Sequence, residues 1–414
     1  MKNKFFLSII LGCILLILCA CVHEEFQIVP TITEKPTVIS SFPFATENKS
    51  IATSKPETFP ITIRDVELPL KAEGVLLPYI DVDGEVAYRN VDGSVHVLES
   101  ALALFKNGYL VVCGFGEIRV TNANGERLSV SCAENEHLRR ITEREGRNYI
   151  ELVSPSAKNF EICEVLGNGY LIRSEGKRYI IDITGKVLVS CEHENYYSLT
   201  NDIVLGLTYG SEHLLDIKIL IDLRTGESIN VDGKYAIFDS PVDDLRVSYE
   251  DGLIWFIYYL EDGSEAGMGY MNMKGEIVLS PIFRLAEHFS EGMAAVIFDS
   301  VDKGFSYIDV EGNLAFEEHF AWARPFSEGL AAVSFDGEKY GYIDKTGKFV
   351  IEPVYCRDAL DGPLWEKFED YVDKLSMFHN GYAMIANAEE GWAAYIDKTG
   401  KEVFRFSVPV STEE

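Results

Sequence analysis

The sequence predicts an all-β fold built from about eight β-meander units, arranged as a β-propeller-like array. Three observations predict it. A Phe-Ser-Glu-Gly segment recurs at Phe289-Ser290-Glu291-Gly292 and Phe326-Ser327-Glu328-Gly329, with a degenerate copy at Phe378-His379-Asn380-Gly381. An Asp/Asn turn closed by glycine recurs with turn glycines at 84, 125, 185, 226, 275, 312, 347 and 400, spaced 35 to 60 residues and averaging about 45. Apolar residues alternate on both sides of those turns, the period of half-buried strands. Repeats of roughly 40–45 residues with three or four short strands suit propeller blades, and radial closure protects strand edges. An open β-solenoid or stacked hairpin array is the alternative, because the shortest steps are tight for a four-stranded blade.

The chain begins with a different pattern. Lys2 and Lys4 precede an apolar run over 5–18, and Ala20 stands before Cys21. This is the pattern of a secretory signal, residues 1–20, and the run is too short to span a bilayer comfortably. The stretch Leu18-Cys19-Ala20-Cys21 resembles the lipobox of bacterial lipoproteins, although Cys19 is not the usual residue at its position. The resemblance implies cleavage before Cys21, lipid attachment at Cys21, and a place on the extracytoplasmic face of a bacterial membrane. Residues 21–60 follow as a Thr/Ser/Pro-rich tether without periodicity.

The repeat region runs from 61 to the end, degenerate over 61–266 and sharp over 267–414. It reads as two arrays meeting near residue 240 or as one continuous domain. The turn has a mechanism. Asp344 sits at the first position of a type I turn, where its carboxylate accepts a backbone N–H two residues on. Gly347 then takes the left-handed conformation that closes the hairpin with a bulge. Asn122 and Asn272 serve the same purpose in other copies.

The Phe-Ser-Glu-Gly segment followed by Lys339-Tyr340-Gly341-Tyr342-Ile343-Asp344-Lys345-Thr346-Gly347-Lys348 resembles the WG (KWG) repeat. The likeness is specific over 267–404 and faint over 78–266. Where the family has Trp-Gly, this chain has Tyr340-Gly341 and Phe305-Ser306. The resemblance implies a repetitive β protein of the cell envelope and implies no reaction.

Composition narrows function. The formal net charge is −29, and without Lys2 and Lys4 it is −31. Such a chain repels nucleic acid and anionic surfaces. Beyond Cys21, the cysteines Cys113, Cys132, Cys163, Cys191 and Cys356 are odd in number and irregularly spaced, which is not a disulfide framework. They read mostly as small buried hydrophobes, with one disulfide left open. No His-Glu-x-x-His, nucleophile-elbow, P-loop or dinucleotide motif occurs. Asp81-Val82-Asp83-Gly84 lacks the ligands of a calcium loop. Paired acids such as Glu317-Glu318 point to opposite faces of a strand. No catalytic residue, metal ligand or cofactor is therefore expected.

Two non-repeat segments remain. Over 361–375, Asp361 and Pro363 open a short helix, with Trp365 and Phe368 on its apolar face. The helix packs on the β domain or, on the sharper reading, docks a partner. The long step near 133–165 carries Arg139, Arg140, Arg144 and Arg147, interrupted by Glu143 and Glu145. It reads as a mixed-charge solvated surface, and it is also the nearest approach to a basic patch for an acidic partner or ligand. The expected function is a membrane-anchored binding scaffold for a protein, glycan or envelope component. The alternative is a carbohydrate-active or other hydrolytic enzyme, and a sensory or assembly accessory ranks third.

Overall fold

The structure is a computed structural model. It describes residues 58–408, apart from 100–101, 115, 194, 211–213, 232–234, 239–250, 261–264, 299–303, 358–367, 369–374 and 388–389. Cys21 and nearly all of the tether lie outside the described residues. The secondary structure consists of antiparallel strands gathered into small sheets that follow one another in chain order. The first four modules span 77–98, 105–131, the hairpin 137–155 joined by strand Ile61–Glu67, and 161–190. The fifth and sixth, 195–230 and 235–283, share one eight-stranded sheet. They fuse because strand Leu214–Asp222 pairs at its start with Tyr235–Phe238 and near its end with Ser228–Asn230. The last three modules are 285–309, 322–356 and 382–407.

The turns form as their chemistry dictates. Asp344 Oδ1 accepts Thr346 N at 2.8 Å, and Gly347 has φ +81°. Asp81, Asn122, Asp182, Asp222, Asn272, Asp309 and Asp397 each accept the N–H two residues on. About eight expected units become nine modules among the described residues. The additional one is the hairpin 137–155, hidden in the 60-residue step because its turn, Glu145-Gly146, has no Asp or Asn anchor. Both turn residues have positive φ, 52° and 72°, as a two-residue hairpin turn requires.

A tyrosine two residues before the turn anchor joins each late module to the next. Tyr270 Oη donates to Glu287 O at 2.6 Å, Tyr307 to Arg324 O at 2.6 Å and Tyr342 to Ser376 O at 2.8 Å. The repeated phenylalanine of the following module meets each ring edge-on: Phe289 on Tyr270 at 4.7 Å, Phe326 on Tyr307 at 5.1 Å, Phe378 on Tyr342 at 4.9 Å. The series then crosses from the end of the chain to its beginning. Tyr395 donates to Pro78 O at 2.9 Å, and Tyr88 to Ala103 O at 3.0 Å. Tyr79 packs against Phe404 and Phe406, and Arg89 lies over the Phe404 ring. The last module thus meets the first through the same bond that joins the late repeats, and the array returns on itself. This is the propeller-like arrangement rather than an open stack.

The N-terminal segment adds a strap. Phe59 N donates to Gly185 O at 2.7 Å in the fourth module, and its ring is buried, although residues through 60 were expected in the tether. Strand Ile61–Glu67 then pairs with Arg147–Pro155 in the third module. Pro69 O and Leu70 O accept from Tyr109 and Asn122 of the second. Val75 and Leu76 enter the core shared by the first module. The strap therefore visits modules four, three, two and one in reverse order.

Among the described residues no helix spans the expected 361–375; only Phe368, Leu375 and the adjoining Ser376 are in helical conformation there. Most of that segment, including Trp365, lies outside the described residues. Phe368 and Leu375 are buried with Phe378 in the core shared by the eighth, ninth, first and second modules. The cysteines also differ from expectation. All five are free, none is fully buried, and Cys113 is exposed. Cys113 lies next to the end of strand Tyr109–Gly114, where little covers its side chain. Partial burial still pushes the Cys191 thiol up to about 11.

Candidate functional site

The arginine-rich hairpin is the most developed polar cluster among the described residues. Strand His137–Arg144 pairs with Arg147–Pro155, and the register shifts between Glu151 and Leu152. Glu151 opposes Arg140 and Leu152 opposes Leu138, so Arg139 is the extra residue of a β-bulge. The bulge brings neighbouring side chains to one carboxylate. Arg139 Nη1 donates to Glu151 Oε2, as does Arg140 Nε at 2.8 Å. Arg144 donates to Glu151 Oε1 and to Asp65 Oδ2, the latter at 2.7 Å, tying the strap to the hairpin.

Glu151 is 2% exposed and Arg139 5% exposed, whereas Arg140 and Arg144 are about half exposed. Burial works against ionisation of Glu151. Hydrogen bonds from Arg140 and Arg144, with the charges of Arg139 and Arg140, outweigh it and hold the carboxyl below its usual range. Tyr170 of the fourth module reaches the same seam. Its hydroxyl is pushed up by burial and senses the charges of Arg139, Glu151 and Arg140. Tyr170 Oη and Arg139 Nε are both buried without a hydrogen-bond partner.

A second surface is apolar. Phe335 is 54% exposed and stacks on Phe320 at 5.0 Å with 28° between planes. Phe349 meets it edge-on at 5.6 Å. Leu314, Val350 and Val354, from the same stretch of repeats, are also exposed. Asp336 and Glu338 follow Phe335 in the chain and are exposed.

The sequence candidates separate accordingly. Arg139 and Arg140 come together on Glu151. Phe368 is fully buried, so it packs inside the core instead of offering a docking surface. Trp365 and Cys21 lie outside the described residues. Sequence reasoning missed Glu151 and Tyr170. One trace was available: His137-Leu138-Arg139-Arg140-Ile141 places its apolar residues three apart, a break in strand alternation that a bulge leaves behind. Among the described residues, no group of three or more His, Cys, Asp or Glu is placed to hold a metal ion.

His288 lies beside the Glu287 latch in the seventh module. Burial, aided by the charge of Arg324, pushes its imidazole down to about 4. A depressed histidine is protonated more readily in the unfolded chain. Its stability contribution is complete above pH 6.5 and is lost as pH falls toward 4, up to ~3 kcal/mol in all. Urea unfolding at pH 7 and pH 4.5 is expected to show a smaller acid loss for His288→Gln than for wild type. Equal losses would remove His288 from the account.

The fold and these surfaces define an all-β repeat protein whose late modules are latched aromatic units. Residues 268–300, 305–338 and 340–355 match the family description "WG containing repeat", and the chain is a WG-repeat-containing protein over that stretch. No curated protein matches the chain. Among solved structures, it is similar to Hsv2 of Kluyveromyces lactis, with 9% identity, 73% of this chain and 96% of that chain covered, and a TM-score of 0.24. A crystal structure of the eukaryotic initiation factor shows 6% identity, coverage of 67% and 95%, and a TM-score of 0.29. A catalytically inactive virginiamycin B lyase from Staphylococcus aureus with quinupristin shows 12% identity, coverage of 69% and 97%, and a TM-score of 0.21. With scores this low the architecture rests on the chain's own sheets and latches.

Proposed function

We propose that this protein is a lipid-anchored scaffold on the extracytoplasmic face of a bacterial membrane, and that its repeat domain binds an envelope protein or glycan without performing a reaction. The observation that carries the binding reading is the half-exposed ring of Phe335, stacked on Phe320 and met edge-on by Phe349. A rigid, supported aromatic at a surface is a contact element for a partner, since its apolar area is already ordered before binding. The late repeats hold it still through the tyrosine latches. The anchoring reading rests on the lysines, apolar run and Cys21 of the N-terminus.

The two parts are tested separately. Metabolic labelling with an alkyne fatty acid should mark wild type and not Cys21→Ala; equal labelling, or none in wild type, ends the anchor reading. Binding of the purified full chain to isolated cell-wall glycan and to solubilised envelope protein should be saturable and at least about tenfold weaker for Phe335→Ser. Retention of full binding by that variant would show that the Phe335 face is not the contact.

A further inference from the structure

We infer that the seam between the third and fourth modules binds an oxyanion, carboxylate or phosphate, seated on the Nε edge of Arg139 and on the Tyr170 hydroxyl. A guanidinium has more than one edge that can grip two oxygens at once. Arg139 gives Nη1 to Glu151, while its Nε is buried and carries no hydrogen bond. The side chain is only 5% exposed, so bulk water scarcely reaches it. Tyr170 Oη arrives from the fourth module, buried and equally without a partner. Tyr170 shares this state with Tyr340 and departs from the habit of most of the molecule's deeply buried tyrosines. Tyr88, Tyr109, Tyr270, Tyr307, Tyr342 and Tyr395 are as deeply buried, and each donates its hydroxyl to a backbone carbonyl.

Two buried donors on facing modules, both without an acceptor, call for acceptor oxygens between them. The charge agrees. Three guanidiniums against Glu151 and Asp65 leave one positive charge at this seam, in a chain of net charge −29. His137 Nε2, on the strand of Arg139, is a third buried polar atom without a partner. A bulge that aims consecutive side chains at one point is a device found beside binding sites.

The experiment is calorimetric titration of the full chain with inorganic phosphate and, separately, with acetate at constant ionic strength, with chloride as control. Saturable binding is expected for at least one oxyanion and none for chloride; the ratio of the two affinities tells phosphate from carboxylate. Tyr170→Phe keeps the ring and removes one donor, and should weaken binding about tenfold. Arg139→Lys keeps the charge but loses the planar edge, and should weaken it more. Absence of saturable binding up to about 10 mM, or equal affinity in wild type and Tyr170→Phe, overturns the site and leaves water as the occupant of the seam. Tyr170→Phe decides the matter alone if Arg139→Lys does not fold.

Discussion

Gly341→Ala is expected to lower the unfolding free energy by about 3 kcal/mol or more, the cost of forcing atoms into a packed site. The reason is local. A methyl group on Gly341 would stand 2.4 Å from Ile351 O and 2.7 Å from Pro353 N, both backbone atoms. Strand Lys339–Asp344 pairs Tyr342 with Ile351 and Tyr340 with Tyr355, so the partner strand bulges over Gly341 at Glu352-Pro353-Val354. Gly269 meets the same crossing, with Leu279 O at 2.7 Å and Pro281 N at 2.9 Å. The repeat's glycine is thus required by the proline bulge opposite it, not by a positive φ. The ninth module supplies the control. Ala394 holds the same place relative to its turn, and its partner Arg405 lies on a strand without a proline bulge. Ala394→Gly should therefore cost only ~1 kcal/mol, mostly through chain entropy. Urea unfolding of the two variants checks the pair. Equal losses would mean that the bulge does not dictate the glycine.

The same contrast explains what could be read in advance. The Asp344 turn is legible because a side chain, a backbone N–H and a left-handed glycine fall within four residues. The repeated Phe326 and Tyr342 are legible as packing residues because their spacing recurs. The third module is not, since Glu145-Gly146 closes its hairpin by backbone conformation alone. Its third strand, Ile61–Glu67, also comes from far away in sequence, before two other modules. The first module misleads in another way. Asp81-Val82-Asp83-Gly84 forms the expected turn, but the latch tyrosine of that module, Tyr88, stands two residues before Asn90, so the equivalent turn ends at Gly93. The arginines near 139 read as solvated because Glu143 and Glu145 interrupt them in sequence. Their true partner, Glu151, is reached only through a two-residue turn and a bulge, neither of which composition or spacing reveals.

Glu151→Gln is expected to cost about 3–5 kcal/mol, because it leaves Arg139 buried with an uncompensated charge. The substitution keeps volume and one acceptor oxygen, so a loss of this size measures charge and not packing. The pH dependence has a definite sign. The Glu151 carboxyl lies below its usual value of 4.5 in the folded chain, so its contribution is complete above that pH and is lost as pH falls through the lower folded value. In wild type this loss adds to that from His288 on acidification; in Glu151→Gln only the histidine part remains. Removing both partners separates desolvation from attraction. Arg139→Met with Glu151→Gln should recover much of the loss, since the stranded charge is gone, and the double-mutant cycle should show a coupling of a few kcal/mol. Recovery also bears on the strap. Arg144 bridges Glu151 to Asp65, so loosening the carboxylate should expose strand Ile61–Glu67 to proteolysis before the late modules open. Uniform proteolysis across the array, with no early cut near the strap, would show that the Glu151 cluster stabilises its own hairpin and holds nothing else in place.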